Sequence, residues 1–354
     1  MSPSQIKGAL LEFLVRKLLR NCGFTSVKPD GHYVFEQIGN GLFFVNGKGA
    51  AHDADVLMEP PIQLPFSYPS RLLFECKAYK NNVGLGVIRN VLGLRYDINE
   101  FEIITDESVL KRKNNKRSKY AISDRTRYNY QVGVASVEPF SSSAFEFAAN
   151  NKIPLLSLSW FIPETTLSLF NSINRHYIYG IAEPIRIDLF SYLKNKSDSD
   201  YYDNGINSFL ENDEIIGSII RGFNSVINQT IIGLTETGDL IFLFSEGSET
   251  LDYFFYYDDY GPFRARIHYY RNNPNQWLLQ LRGESNNISY SFRFFVPKRL
   301  MKLWREHSLD KNVAINIKEE FLSRIFLFKK QQQLNEFPFI IVNIDRDWLD
   351  SLRN

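Results

Sequence analysis

Two short strings that repeat every second residue, separated by a proline-rich stretch, constrain this chain more than any other feature. In HDADVLM, Asp53, Asp55 and Leu57 alternate with Ala54, Val56 and Met58; in RLLFECKAY, Leu73, Glu75 and Lys77 alternate with Leu72, Phe74 and Cys76. Successive side chains of an extended chain point to opposite faces, so both strings read as β-strands. Between them lies EPPIQLPFSYPS. Its prolines lack the amide hydrogen that a strand interior donates, so the stretch reads as a loop. Neighbouring strands joined by that loop bring Asp55 and Glu75 to one face, with the Lys77 ammonium one step further along. Charge in the middle of an apolar strand is costly unless a cleft receives it, which marks a candidate functional site.

The chain has 354 residues, enough for two domains at roughly 100–200 residues each. With 44% hydrophobic and 23% charged residues it can bury an ordinary core. The formal net charge of +1 supplies no global basic field, so any affinity for nucleic acid must come from local patches. Cys22 and Cys76 are the two cysteines; one closes a predicted helix and the other lies in a predicted buried strand, so neither a disulfide nor a thiolate zinc site is expected. The opening Ser-Pro-Ser-Gln lacks the pattern of a secretory signal, and no apolar run approaches the roughly 20 residues of a membrane span. These features lead us to expect a cytoplasmic protein without a membrane partner.

Residues 5–21 read as an amphipathic helix capped by Ser4 and ended by Asn21, Cys22 and Gly23, with Ile6, Leu10, Leu11, Leu14, Val15 and Leu18 at helical spacing. Glu12 falls at the edge of that stripe, within reach of a neighbouring site. After Lys77 the spacing of Val87, Val91, Leu94 and Ile98 predicts a second helix; FEIITDES reads as a strand, and NYQVGVASVEPFSSSAFEFAANNKIPLLSLS as strand, helix, strand. From about residue 161 the pattern changes. A polar tract leads to a hairpin signal at Glu236-Thr237-Gly238-Asp239, then to aromatic segments that read as antiparallel strands. PKRLMKLWREH and IKEEFLSRIFLFKKQQQL read as helices, and FPFIIVNID as a late strand. The expectation is an α/β domain over 1–160 and an α+β domain with an antiparallel sheet over 161–354.

A basic tract runs from Lys111 to Gln131 and carries Lys111, Arg112, Lys113, Lys116, Arg117, Lys119, Arg125 and Arg127, with Asp124 as its only acidic residue. Such clusters attract phosphate through counterion release, so these eight residues are the candidate nucleic-acid contacts. NGKGAA resembles a phosphate-cradling turn but lacks the full spacing of a nucleotide-binding loop. The five histidines form no metal-spacing motif. The aromatic stretch Tyr253–Tyr270 could stack bases, but reads first as sheet core or a subunit interface.

GALLEFLVRKLL, NGKGAAHDADVL, RLLFECKAYKNNVGLGVIRNVLG and GVASVEPFSSSAFEFAANNKIPLLSL, taken in order, resemble the PD-(D/E)xK nuclease superfamily, in its Mrr-like restriction endonuclease branch. The resemblance covers about residues 1–160. It implies a restriction-endonuclease-like mixed central sheet flanked by helices, and Mg²⁺-dependent hydrolysis of phosphodiester bonds, with Mn²⁺ able to substitute. Carried over by position, Asp55 and Glu75 would be metal ligands, and the Cys76 carbonyl would add an oxygen. Lys77 would orient or activate the attacking water, with a pKa that can drop in a partly buried site. Glu12 would be the supporting helix carboxylate. The chain departs from the pattern at Ala54, where the family name has proline. Asp53 is the rival to Asp55, and His52 has a secondary role beside it. The expected activity is a restriction-like or phage-defence endonuclease acting on DNA, with RNA left open as substrate and a homodimer as the arrangement that would cut both strands. The alternatives are an effector nuclease switched on by a ligand or partner, and a nucleic-acid-binding subunit that does not cleave.

Overall fold

The computed structural model describes residues 1–36, 43–63, 67–102, 127–160, 162–195, 204–246, 263–270, 273–283, 289–328 and 339–353. Helix α1 (Pro3–Asn21) starts earlier than its apolar spacing implies. Ser2, not Ser4, caps it: the Ser2 hydroxyl accepts from the Gln5 amide and the Gln5 side chain accepts from the Ser2 amide. Pro3 suits the first helical position because the amide hydrogen it lacks would have no partner there. Gly23, at φ +88°, ends the helix. Every residue from Ala9 to Arg16 is buried, so α1 is enclosed on all sides instead of lying amphipathically on a surface.

A five-stranded mixed sheet lies against α1, in the order β1 (Thr25–Ser26), β5 (Val56–Glu59), β6 (Ser70–Lys77), β7 (Asn129–Ser136) and β8 (Leu155–Ser157). Pairing is antiparallel for β1/β5 and β5/β6, and parallel for β6/β7 and β7/β8. The crossover between β6 and β7 includes helix α2 (Leu85–Asn99), and helix Ser142–Asn150 connects β7 to β8. Alternation divides the sheet's faces. Val56, Met58, Leu72, Phe74 and Cys76 join the core around α1, while Leu57, Leu73, Val132 and Val134 join the core under α2. Arg71 is buried beneath the latter, stacked 3.4 Å from the Tyr128 ring centroid and bonded to Glu59 and the Tyr130 hydroxyl.

One expected strand is two. HDADVLM breaks at Ala54-Asp55: β4 (Ala51–Asp53) belongs to a separate three-stranded sheet with β2 (Val34–Glu36) and β3 (Phe43–Asn46), and only β5 continues into the main sheet. Ala54 is fully buried and its amide donates to the Phe43 carbonyl, which holds the chain at the point where it changes sheets. Asp53 and Asp55 therefore do not share a strand face. Of FEIITDES, the residues from Ile103 on lie outside the described ones.

Beyond residue 161, helices Glu164–Ser172, Arg175–Gly180, Glu183–Lys194, Asn204–Asn212 and Ile216–Ile227 come first. Leu189, Leu193, Ile219 and Phe223 from this group share one core with Leu10, Leu14 and Leu18 of α1. The expected antiparallel sheet is instead closed into a barrel, in the order β10 (Leu240–Ser245), β13 (Ser289–Phe295), β12 (Asn273–Gly283), β11 (Phe263–Tyr270), β15 (Phe339–Ile344), β14 (Arg324–Phe328) and β9 (Thr230–Thr235). One pair, β11/β15, is parallel. Closure leaves no edge strand, a property that alternation within single strands does not encode. The β9–β10 hairpin turns at Gly238, φ +81°, as its sequence signal implies. IKEEFLSRIFLFKKQQQL is not one helix. Its first part ends the helix Lys311–Phe321, and RIFLF forms β14, with Ile325 and Leu327 buried in alternation.

Candidate active site

The antiparallel register of β5 and β6 pairs Val56 with Phe74 and Leu57 with Leu73. Carried one step further, it sets Asp55 across from Glu75. Asp55 occupies the irregular residue before β5, and the Cys76 amide donates to its Oδ2 at 2.8 Å. Lys77 and Glu75, two apart on β6, point the same way and form an ion pair in which each side chain is 24% exposed. This end of the β5–β6 pair is thus open to solvent while the strand behind it is buried.

Electrostatics tie Glu12 to the same place from the other face of the sheet. The Asp55 carboxyl is pushed up to about 7 by burial, then by the Glu12 and Glu75 carboxylates, against the Cys76 amide and Lys194, which lower it. Glu12 itself is 4% exposed. Its Oε1 lies 2.6 Å from Lys194 Nζ, and its Oε2 is buried without a hydrogen-bond partner, 3.7 Å from the Arg16 guanidinium. Cys76 is a buried free thiol, its pKa driven well above the ordinary value by burial and then by Asp55. It is no nucleophile at neutral pH.

Lys77 departs from the expected lowering. Burial pulls its ammonium down, but the hydrogen bond and charge of Glu75, with Asp55 behind, outweigh this and hold it above the ordinary value. In this arrangement it is a fixed positive charge, not a proton acceptor. Among the described residues no group of three or more His, Cys, Asp and Glu side chains is arranged as a ready metal cage. The donors that converge are carboxylate oxygens backed by ammonium groups.

The secondary candidates lie elsewhere. Asp53 is exposed on β4, paired in register with Phe44. His52 Nε2 is 2.7 Å from Oδ2 of Asp97 on α2. That same carboxylate accepts from the amides of Gly49 at 2.7 Å and Ala50 at 3.4 Å. The NGKGAA turn does cradle an anion, but it is the chain's own Asp97. A Cβ at Gly47 would fall 2.6 Å from the Ala50 carbonyl oxygen, which is backbone, and 2.0 Å from Asp97 Oδ2, so the turn leaves room only for glycine there. Of the basic tract, Lys111, Arg112, Lys113, Lys116, Arg117, Lys119 and Arg125 lie outside the described residues. Arg127 donates to the Asn99 carbonyl at 2.6 Å and lies over the Tyr68 ring. The aromatic stretch is described from Phe263 on, where Phe263 and Ile267 face the barrel core.

Sequence reasoning missed Arg16, Asp97 and Lys194. Arg16 had a signal, four residues from Glu12 on one helix face. Lys194, 182 residues from Glu12, had none.

No protein-family model matches the chain, and no curated protein matches it. Among solved structures, the crystal structure of a protein of unknown function aligns with a TM-score of 0.30 and 17% identity, over 53% of this chain and 79% of that one. A likeness at that level does not establish a shared fold. The site is therefore read from its own chemistry.

Proposed function

We propose that the chain is a metal-dependent nuclease that hydrolyses phosphodiester bonds in DNA. In this reading residues 1–160 form a restriction-endonuclease-like core, and residues 161–354 bind target, dimerise or control activity. The observation that carries it is the meeting of Asp55, Glu75 and Lys77 at one end of β5 and β6, with Glu12 close enough to raise the Asp55 carboxyl. The mixed sheet with α1 on one face and α2 on the other supports the same reading.

A hard divalent cation suits this donor set. Crowded carboxylates resist ionising together, and a cation between them removes that penalty. Mg²⁺ needs only one or two carboxylates and keeps several waters, so Asp55 and Glu75 suffice, with the Cys76 carbonyl as a further oxygen. When bound, the ion would polarise a phosphoryl oxygen and lower the pKa of a coordinated water. Lys77 presents its charge beside the same edge, where it can orient a water and stabilise negative charge that develops on the phosphoryl group. Glu12, inside the α1 core, supports the cluster from behind.

The test is a cleavage panel on methylated DNA, unmodified DNA and RNA with Mg²⁺ or Mn²⁺. Wild type should cut DNA, while Lys77→Ala and Asp55→Ala should lose at least about 100-fold of that activity. If wild type leaves every substrate intact, or either variant cuts equally well, the reading is wrong.

A further inference from the structure

Helix Glu183–Lys194 lies outside the region that carries the resemblance, yet its last three residues all engage α1. The Tyr192 ring packs against Phe13 at 5.0 Å between centroids. The Leu193 carbonyl accepts from the Arg16 guanidinium, and Lys194 Nζ reaches Glu12 Oε1 at 2.6 Å. Because Glu12 Oε2 is buried without a hydrogen-bond partner, Lys194 is the closest charge that satisfies this carboxylate. Lys77 stands against Glu75, and Arg16 and Lys194 stand against Glu12, so side chains of the chain itself already occupy these carboxylates. An arriving divalent cation would compete with the ammonium that already holds Glu12. Lys77 is tied to Glu75 and Arg16 is buried. Lys194 keeps 23% exposure on a flexible stem at the end of its helix, so it is the group with room to withdraw.

We propose that Lys194 is the internal counter-ion of this site: it holds Glu12 when no divalent cation is bound and competes with that cation for the carboxylate cluster. The inference rests on the nuclease reading given above. Lys194 is then a positioning residue acting through Glu12. It makes cation affinity depend on where the end of helix Glu183–Lys194 stands, and so links residues beyond 160 to the site.

Titration calorimetry of the full chain with Mn²⁺ alone tests this. Lys194→Met should bind Mn²⁺ more tightly than wild type, on the order of tenfold, as expected for removing one unit charge near a divalent ion in a partly screened site. Lys194→Arg should restore wild-type affinity, and the gain from Lys194→Met should largely vanish in a Glu12→Gln background. Lys194→Gln serves in place of Lys194→Met if circular dichroism finds the latter unfolded. Equal or weaker Mn²⁺ binding by the folded neutral variants overturns the inference alone, provided that wild type binds Mn²⁺ and Asp55→Asn abolishes it. If wild type shows no Asp55-dependent binding, the site reading fails and the counter-ion role falls with it.

Discussion

Asp55 shows how one residue can be unfavourable for the fold and suited to chemistry. Its carboxyl sits higher in the folded protein than in the unfolded chain, so the folded state holds a proton more firmly. Its contribution to stability is fully present below the ordinary value of 3.8 and is lost as pH rises through about 7. Asp55→Asn should therefore stabilise the metal-free protein at pH 8 by roughly 1–3 kcal/mol, allowing for its partial exposure, and by little at pH 4. Thermal unfolding in chelator at the two pH values checks this; an equal effect at both would refute it. Lys318 has the opposite sign. It is 3% exposed in the barrel core, and burial pulls its ammonium down to about 8 although the Tyr269, Trp277 and Trp348 rings lie 5.2–5.6 Å away. Its stability contribution is present above 10.5 and is lost as pH falls through 8. Lys318→Met should raise Tm at pH 7, with the advantage shrinking between pH 8 and 10. At this scale Glu75 and Lys77 were legible because strand alternation is local, whereas Asp55 stands at the irregular residue before β5. The direction of the Lys77 shift was not, because it depends on which carboxylate its ammonium meets.

Elements were legible where one physical cause dominated. Ser141 caps the helix Ser142–Asn150 by accepting from the Ala144 amide, and Asn151 closes it, as the polar residues at each end imply. The misreadings arose where two causes compete. Alternation continued through HDADVLM, yet the chain changes sheets inside it; the helical reading continued through IKEEFLSRIFLFKKQQQL, yet the helix ends at Phe321 and β14 begins at Arg324. A single glycine holds another element together. In β7, a Cβ at Gly133 would lie 2.6 Å from Phe74 Cε1 and 2.8 Å from the Pro154 carbonyl. The latter is backbone and cannot swing aside. Gly133→Ala should cost about 1–3 kcal/mol in urea unfolding; an unchanged midpoint would show that β7 and the chain before β8 are less closely packed than this.

For the whole molecule, the two sequence halves share a core. Leu14 and Leu18 of α1 pack with Leu189, Leu193 and Phe223, so a fragment ending at residue 160 would expose the face of α1 that these cover. Such a fragment should bind a hydrophobic dye and lack a cooperative thermal transition, whereas the full chain should unfold cooperatively; a well-folded 1–160 fragment would contradict this. Among the described residues no helix is long and apolar enough to cross a membrane, in line with the hydropathy of the chain. The amino-acid sequence by itself determined the mixed α/β character, the capped helix Ser142–Asn150 and the Glu75, Lys77 pair, since each follows from spacings of a few residues. Only the tertiary structure decided that α1 is wrapped on every side, that the aromatic strands close into a barrel, and that Lys194 stands beside Glu12. Those outcomes depend on contacts between residues far apart in the chain, whose partners no local periodicity names.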